Sequence, residues 1–458
     1  MKWSNEMLLT ARYILPVSAP TIEDGAIVVR EGRIVAVGAA RQLLRDWPDE
    51  ERRDFGLAAL APGFVDTHTH LEYTALRGLV DDVPHARWKY EVMQRESLFD
   101  DADWRDSALL GGLEALSGGV TTVADIAGHG ASTGAVAQLG LRGIVYREVE
   151  GMEKPLINDI MQAARDDIVA WEALVDDDLV RIGIAPHSAY ACHPELFMAV
   201  AEYAGMSRAK GRPVALHLAG SREECQFVKY GSTILGFEVR EAYDRAAPLW
   251  LPTGVTPVRY VLQWGILEAG RITAVHCTQV TDDDIEILRD FNVSVASCSR
   301  CNAKLGMGIV PLQKLLDAGV RVGLGTDSPA ATNTIGMFEE MRTGLLMQRA
   351  INSHGRFFTA AEFLRLATLG AAEALDMDDE IGSLEVGKRA DIIAVDLSHS
   401  FQVPTHDPQS AFVHTGARAQ VRMTMVGGQV LYTEGQWPGQ DAQRVAARNE
   451  ELRMKLRG

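Results

Sequence analysis

Two histidines two residues apart, His68 and His70, lie in the segment Asp66-Thr67-His68-Thr69-His70-Leu71, directly after an apolar run over residues 57–65. Such a run reads as a buried strand, and residues two apart on a strand point to the same side. Both imidazoles therefore leave the strand end together, and two neutral imidazoles converging on one point make half of a first-row metal site. A lone His-x-His is weak evidence, because exposed histidines fall into that spacing by chance. Its place at the end of a buried strand is what makes it a metal candidate. Three further apolar runs end in the same way: residues 213–218 carry His217, residues 271–277 carry His276, and residues 320–328 carry Asp327. One polar strand end is ordinary, and a satisfied core histidine is its commoner explanation. Four of them, carrying only His and Asp, are hard to explain by packing alone.

The elements that must position these side chains form a rhythm. Eight candidate strands lie near residues 60–67, 119–125, 141–148, 180–185, 213–218, 271–276, 291–297 and 320–326, and segments such as 103–116 and 282–291 between them carry helical spacing. Strands alternating with helices predict a parallel sheet, and eight repeats predict an α/β fold closed as a (β/α)₈ TIM-type barrel. In that fold the active site is built at the C-terminal strand ends, where these His and Asp residues fall. An open doubly wound sheet is the alternative, but no Gly-x-Gly-x-x-Gly turn follows the first strand. The flanks break the rhythm. Residues 26–38 read as a hairpin turning at Glu31-Gly32, and residues 390–395 and 422–431 add short β segments. The expected organisation is a small β-sandwich built from both chain ends (1–60 and 378–440), a metal-dependent barrel over 61–377, and a charged surface helix over 441–458.

Composition sets the outer bounds. At 458 residues the chain suits a large barrel plus a satellite domain. A formal charge of −17 argues against nucleic acid or an anionic membrane as the main partner. The five cysteines, Cys192, Cys225, Cys277, Cys298 and Cys301, are odd in number, which argues against a disulfide framework. Cys298 and Cys301 form one C-x-x-C without a second pair, so packing near a strand end is favoured over metal or redox chemistry. Neither a signal peptide nor a membrane span is visible, and the expected location is the cytoplasm. A homo-oligomer is left open.

Several segments together resemble the amidohydrolase superfamily, and within it the branch of deaminases and chlorohydrolases that includes S-adenosylhomocysteine/methylthioadenosine deaminases, aminodeoxyfutalosine deaminases and triazine hydrolases. They are residues 62–70, Leu76-Arg77-Gly78-Leu79, residues 119–123, Pro186-His187-Ser188, residues 299–306, Gly325-Thr326-Asp327-Ser328 and residues 382–391. The resemblance covers nearly the whole chain and is specific for the superfamily, much less so for substrate. It implies that His68, His70, His217 and Asp327 bind one divalent metal, zinc before Fe²⁺ or Mn²⁺. Three imidazoles and a carboxylate leave room for a water whose pKa such a metal lowers. It further implies that Asp327 takes a proton from that water, that His276 hydrogen-bonds the oxyanion or the attacking water, and that His187 contacts the substrate. Two-metal members bridge their metals from the fourth strand. That strand, residues 180–185, offers neither Lys nor Glu, so a mononuclear site is expected.

One departure matters. Deaminases of this branch carry His-x-x-Glu on the fifth strand, where the Glu shuttles protons to the substrate ring; here His217-Leu218-Ala219-Gly220 puts a glycine in its place. Glu223 and Glu224 follow, and read as an exposed helical turn. Loss of such acid–base assistance costs about 10²–10⁴-fold in rate. Glu148 and Glu150, at the end of the third strand, are candidate replacements, with surface pairing to Arg147 as the competing reading. The place left by Gly220 is expected to be open, so that Gly220→Glu either restores deamination or blocks a bulky substrate. Trp88, Tyr90 and Phe99, in residues 81–99, are candidates to cover a ring-shaped substrate, weighed against simply anchoring a long loop. The expected function is hydrolytic deamination of an amino-substituted N-heterocycle. The alternatives are a hydrolase cleaving another C–N, C–S or C–halogen bond, and a metal- or ligand-binding protein that has lost catalysis.

Overall fold

A computed structural model describes residues 6–206, 211–231, 251–352 and 355–456. Two eight-stranded sheets organise them. The first is mixed and drawn from both chain ends. Its strands are β1 (Met7–Ile14), β2 (Ile22–Arg30), β3 (Arg33–Ala39), β4 (Glu51–Asp54) and β5 (Ala58–Pro62), joined by three late ones described below. The second is parallel and runs in sequence order through β6 (Phe64–Thr69), β7 (Val120–Ala127), β8 (Arg142–Val149), β9 (Val180–Pro186), β10 (Val214–Leu218), β11 (Ile272–His276), β12 (Ser294–Ser297) and β13 (Val322–Leu324). The late strands β14 (Ile392–Asp396), β15 (Val421–Val426) and β16 (Gln429–Thr433) return to the mixed sheet, where β14 pairs antiparallel with β5. The hairpin between β2 and β3 turns at Glu31 and Gly32, both with positive φ, as a tight turn matched to strand twist requires.

The parallel strands are buried on both faces, which is why they read as continuous apolar runs. Their sheet closes into a barrel where the Asp327 amide donates to the His68 carbonyl at 2.9 Å. Asp66 seals the same seam, accepting from the Thr326 amide at 2.9 Å and its hydroxyl at 2.5 Å. The seam thus sets the first and last strand ends side by side.

The apolar run over residues 57–65 is two strands rather than one. The chain passes from the mixed sheet to the barrel at Gly63, where a Cβ would stand 2.1 Å from the Thr121 side chain, so only glycine allows the approach. A buried ion pair, Arg142 Nε to Asp391 Oδ2 at 2.7 Å, ties the barrel to the mixed sheet. The charged tail forms a helix, Ala442–Lys455, that lies along the helix Asp101–Ser117 through Arg448 and Asn449 on Asp106. No helix among the described residues is long and apolar enough to cross a membrane.

Candidate active site

The strand ends bring His68, His70 and His217 together with one ligand atom of each within 4.8 Å of the others. Two of the rings are oriented by the backbone. His70 Nδ1 lies 3.1 Å from the Ile126 carbonyl and His217 Nδ1 lies 3.0 Å from the His187 carbonyl, so each Nδ1 carries the proton and leaves Nε2 free to bind. His68 Nε2 is buried with no hydrogen-bond partner, and the Asp327 Oδ1 atom stands 3.5 Å away. An orphaned buried nitrogen is costly unless something binds it, and a divalent metal fits that need. Burial pushes the His70 imidazole down to about 3, and lowers His217 and His187 well below their ordinary value. All three are neutral at neutral pH, the form that binds metal. The residues present thus fit a divalent metal.

His276 and Asp327 complete this wall, with His276 Nε2 3.8 Å from Asp327 Oδ2. Both residues adopt positive φ, 75° and 61°, a backbone region that non-glycine residues rarely occupy. Strain of this kind persists where the surroundings over-determine it, as they do at binding and catalytic sites. His276 Nδ1 sits 2.9 Å from Asn302 Oδ1 and donates to it, which leaves the Nε2 lone pair facing the centre. Burial lowers His276 to about 4 against the opposing charge of Asp327. Burial acts to raise Asp327, but the adjacent His68 outweighs it and holds the carboxyl well below its ordinary value.

His70, His217, His276 and Asp327 line one face of a cavity of about 540 Å³. The opposite wall comes from the end of β8 and from the helix His85–Glu96, where a loop was one expectation. Trp88 lines the cavity and donates from its indole N–H to the Ala330 carbonyl at 3.2 Å. Tyr90 and Phe99 take no part: Arg87 lies over the Tyr90 ring, and Phe99 packs on Trp104. Lys89 and Glu96, which the sequence reading passed over, face the cavity from the same helix. A helix carrying Trp88, Lys89, Val92 and Glu96 at spacings of three and four could have revealed them, because those positions share one face. Burial acts to lower Lys89, but the charges of Glu96, Glu150, Glu148 and Asp327 prevail and raise it, keeping it cationic.

Glu148 is a cavity residue and not a surface partner of Arg147. The Arg147 guanidinium pairs with Asp167 at 2.7 Å and donates to the Glu148 main-chain carbonyl, whereas the Glu148 carboxyl Oε1 lies buried with no hydrogen-bond partner, 3.9 Å from His187 Nε2. Burial pushes the Glu148 carboxyl up to about 8; Lys89 opposes the shift, and Glu150, Glu96 and Glu72 add to it.

Two other expectations need correcting. The place beside Gly220 is not open, since a Cβ there would meet His276 Cδ2 at 3.0 Å and Met307 Cε at 3.1 Å. Glu224 is buried rather than exposed: its two oxygens accept from the Ala219 and Gly220 amides at 3.0 and 2.8 Å and hold that turn. The C-x-x-C pair follows the end of β12 and packs in a buried apolar cluster with Leu305 and Met307. Cys301 lines the cavity, and Cys298 comes within 4.8 Å of ligand atoms on His276 and Asp327. Burial raises both thiols far above their ordinary value, with the charge of Asp327 adding to it, so both stay protonated.

Comparison with known proteins agrees with this geometry. The amidohydrolase family profile matches residues 59–431, and a profile for an imidazolonepropionase-like composite domain of bacteria matches residues 25–49. The 5-methylthioadenosine/S-adenosylhomocysteine deaminase of Moorella thermoacetica is 31% identical over 444 residues, 96% of this chain and 97% of that protein. The crystal structure of an adenosine deaminase from Xanthomonas campestris, with bound zinc, superposes with a TM-score of 0.85 at 29% identity and covers 99% of this chain and 98% of that one. An atrazine chlorohydrolase from Arthrobacter aurescens, also complexed with zinc, has a TM-score of 0.81 at 24% identity, over 97% of this chain and 99% of that one, and shares the fold.

Proposed function

This chain belongs to the amidohydrolase family, and on that premise we propose that it is a zinc-dependent aminohydrolase that removes the exocyclic amine of an adenine-type nucleoside or thioether nucleoside. The observation that carries the reading is the orphaned His68 Nε2 beside His70, His217 and Asp327, a donor set that suits one divalent ion. Bound there, the ion would supply a water acidic enough to surrender a proton near neutral pH.

The chain's own residues do the rest. Asp327, held as a carboxylate, accepts that proton and hands it to the departing amine. His276, with its Nε2 lone pair facing the centre, accepts a hydrogen bond from the attacking water and orients it. His187 and Trp88 border the space where the ring lies, and the helix His85–Glu96 walls it from solvent. The named activity of the Moorella relative, at 31% identity across nearly the full length, supports an adenine-type substrate.

The test is a screen for ammonia release by the zinc-loaded protein across adenine nucleosides, pterins, pyrimidines and amino-triazines. Turnover of 5′-methylthioadenosine or S-adenosylhomocysteine above the other classes is expected. Hydrolysis of a chloro- or thio-substituted ring, with no ammonia from any amine, would replace this reading with a hydrolase of another bond.

A further inference from the structure

The family's proton-shuttling Glu would project from position 220, just after the fifth barrel strand, and this chain leaves little room there. A Cβ on Gly220 would stand 3.0 Å from His276 Cδ2, 3.2 Å from His276 Cβ and 3.1 Å from Met307 Cε, so the ring and the methionine occupy the ground. The nearest acid on its own strand turn, Glu224, is committed to the Ala219 and Gly220 amides and does not line the cavity. Glu148 differs on both counts. It lines the cavity from the end of β8, its Oε1 is buried without a hydrogen-bond partner 3.9 Å from His187 Nε2, and one of its carboxylate oxygens comes within 4.8 Å of ligand nitrogens on both His187 and His217. A buried carboxyl oxygen left unbonded in the free protein carries a desolvation cost that a substrate donor or acceptor can relieve.

We infer that Glu148, from the third barrel strand, is the catalytic acid–base residue that replaces the missing fifth-strand Glu. The inference rests on the deaminase reading above. Glu148 gives its proton to the ring nitrogen beside the amine-bearing carbon as the C=N bond opens to the incoming water oxygen. Asp327 takes one proton of that water and passes it to the exocyclic nitrogen as the C–N bond breaks and ammonia leaves. The proton of the new hydroxyl goes to Glu148 as the C=O bond forms. The sum turns N=C–NH₂ and water into HN–C=O and ammonia, and both carboxyls end as they began. The groups facing Glu148 are Lys89 and Glu96 from the helix His85–Glu96, Glu72 before β7, Glu150 on its own segment, and His187 and His217 from the neighbouring strand ends. Lys89 favours the charged form of Glu148, and the three acids favour the neutral one. The raised value at Glu148 keeps a proton on it at neutral pH, as a donor requires.

The experiment compares zinc-loaded wild type, Glu148→Gln and Glu148→Asp for kcat, KM, the pH dependence of kcat and metal content, with ammonia as the product measured. Glu148→Gln should lose about 10²–10⁴-fold in kcat, the usual worth of one acid–base group, with little change in KM and unchanged zinc. Wild-type kcat should fall as pH rises past the Glu148 ionisation, and Glu148→Gln should lack that limb. Glu148→Asp, which keeps the carboxyl one methylene shorter, should fall between the two and keep the limb. An active wild type with Glu148→Gln within about fivefold of it in kcat, or with its defect confined to KM or to zinc loading, overturns the assignment alone, since even the low end of one acid–base contribution is larger. No ammonia from the wild type on any amine overturns the deaminase reading and this inference with it.

Discussion

On the wall built from β6, β10 and β13, the rings of His70 and His217 are locked by backbone carbonyls, and Asp327 is held by the seam that closes the barrel. On the facing wall, built from β8 and the helix His85–Glu96, Glu148 and Glu96 each bury an oxygen with no hydrogen-bond partner, and Lys89 sits among carboxylates. The first wall is preorganised by its protein contacts. The second holds two buried carboxyl oxygens without a hydrogen-bond partner, which a ligand can satisfy. On the proposed reading, a site divided in this way separates the geometry that would bind a metal, which tolerates little change, from the groups that would read and protonate a substrate, which can move from one strand to another.

The first wall should break most severely. His68→Ala removes a ligand at its centre, and zinc content should fall from about one equivalent per chain, the occupancy of a mononuclear site, to near zero, with activity lost. Metal analysis after dialysis against free zinc measures it; retention of a full equivalent would take His68 out of the ligand set. Asp327→Asn comes next. An amide cannot accept the water's proton, so kcat should drop on the order of 10⁴-fold while the thermal transition stays near that of the wild type. Residual turnover close to wild type would move the base elsewhere, Glu148 first.

The border between the two walls, at Gly220, should respond less. The sequence suggests an empty place that a glutamate could refill, and the packing of His276 and Met307 reverses that expectation. Gly220→Glu should lower kcat by at least about tenfold, or 1.4 kcal/mol, because it displaces the His276 ring, and it should not raise ammonia release from any adenosine-type substrate. A gain in turnover would show that the ring and Met307 yield and that the fifth strand can still host the shuttle.

The smallest effect concerns Glu224, which braces the turn after β10. Burial raises its carboxyl to about 7, so the folded state holds that proton more tightly than the unfolded chain does. The stability this contributes is complete below the ordinary glutamate range and is lost as pH rises through about 7. Glu224→Gln gives up one accepted amide bond, a loss of about 1 kcal/mol, but carries no charge. Its deficit in thermal midpoint should therefore be larger at pH 5 than at pH 8; a deficit that grows with pH would contradict the assignment.

The first wall was legible in the sequence because strand ends obey a period of two. His68 and His70 could be paired on paper, and the apolar runs before His217, His276 and Asp327 placed them at the same end of a barrel. The second wall was not, for two physical reasons. Lys89 and Glu96 ride on a helix inserted after the first barrel strand, whose charged face looks like a solvated surface until the fold turns it inward. Glu148 and Glu224 follow no rule of spacing, and their burial depends on which way Arg147 and the Gly220 turn point, which only tertiary packing decides. The break at Gly63 escaped for a similar reason: an apolar run does not show that its residues belong to two sheets.

The central claim is that metal-dependent deamination is performed by one ion held on the first wall. Its most direct measurement is zinc titration into chelated protein with ammonia release from 5′-methylthioadenosine followed at each addition. Ammonia release should rise from nothing and reach its plateau at about one zinc per chain, as a single closed set of three imidazoles and a carboxylate requires. Full ammonia release by the chelated protein, or a plateau only at two zinc ions, would contradict it.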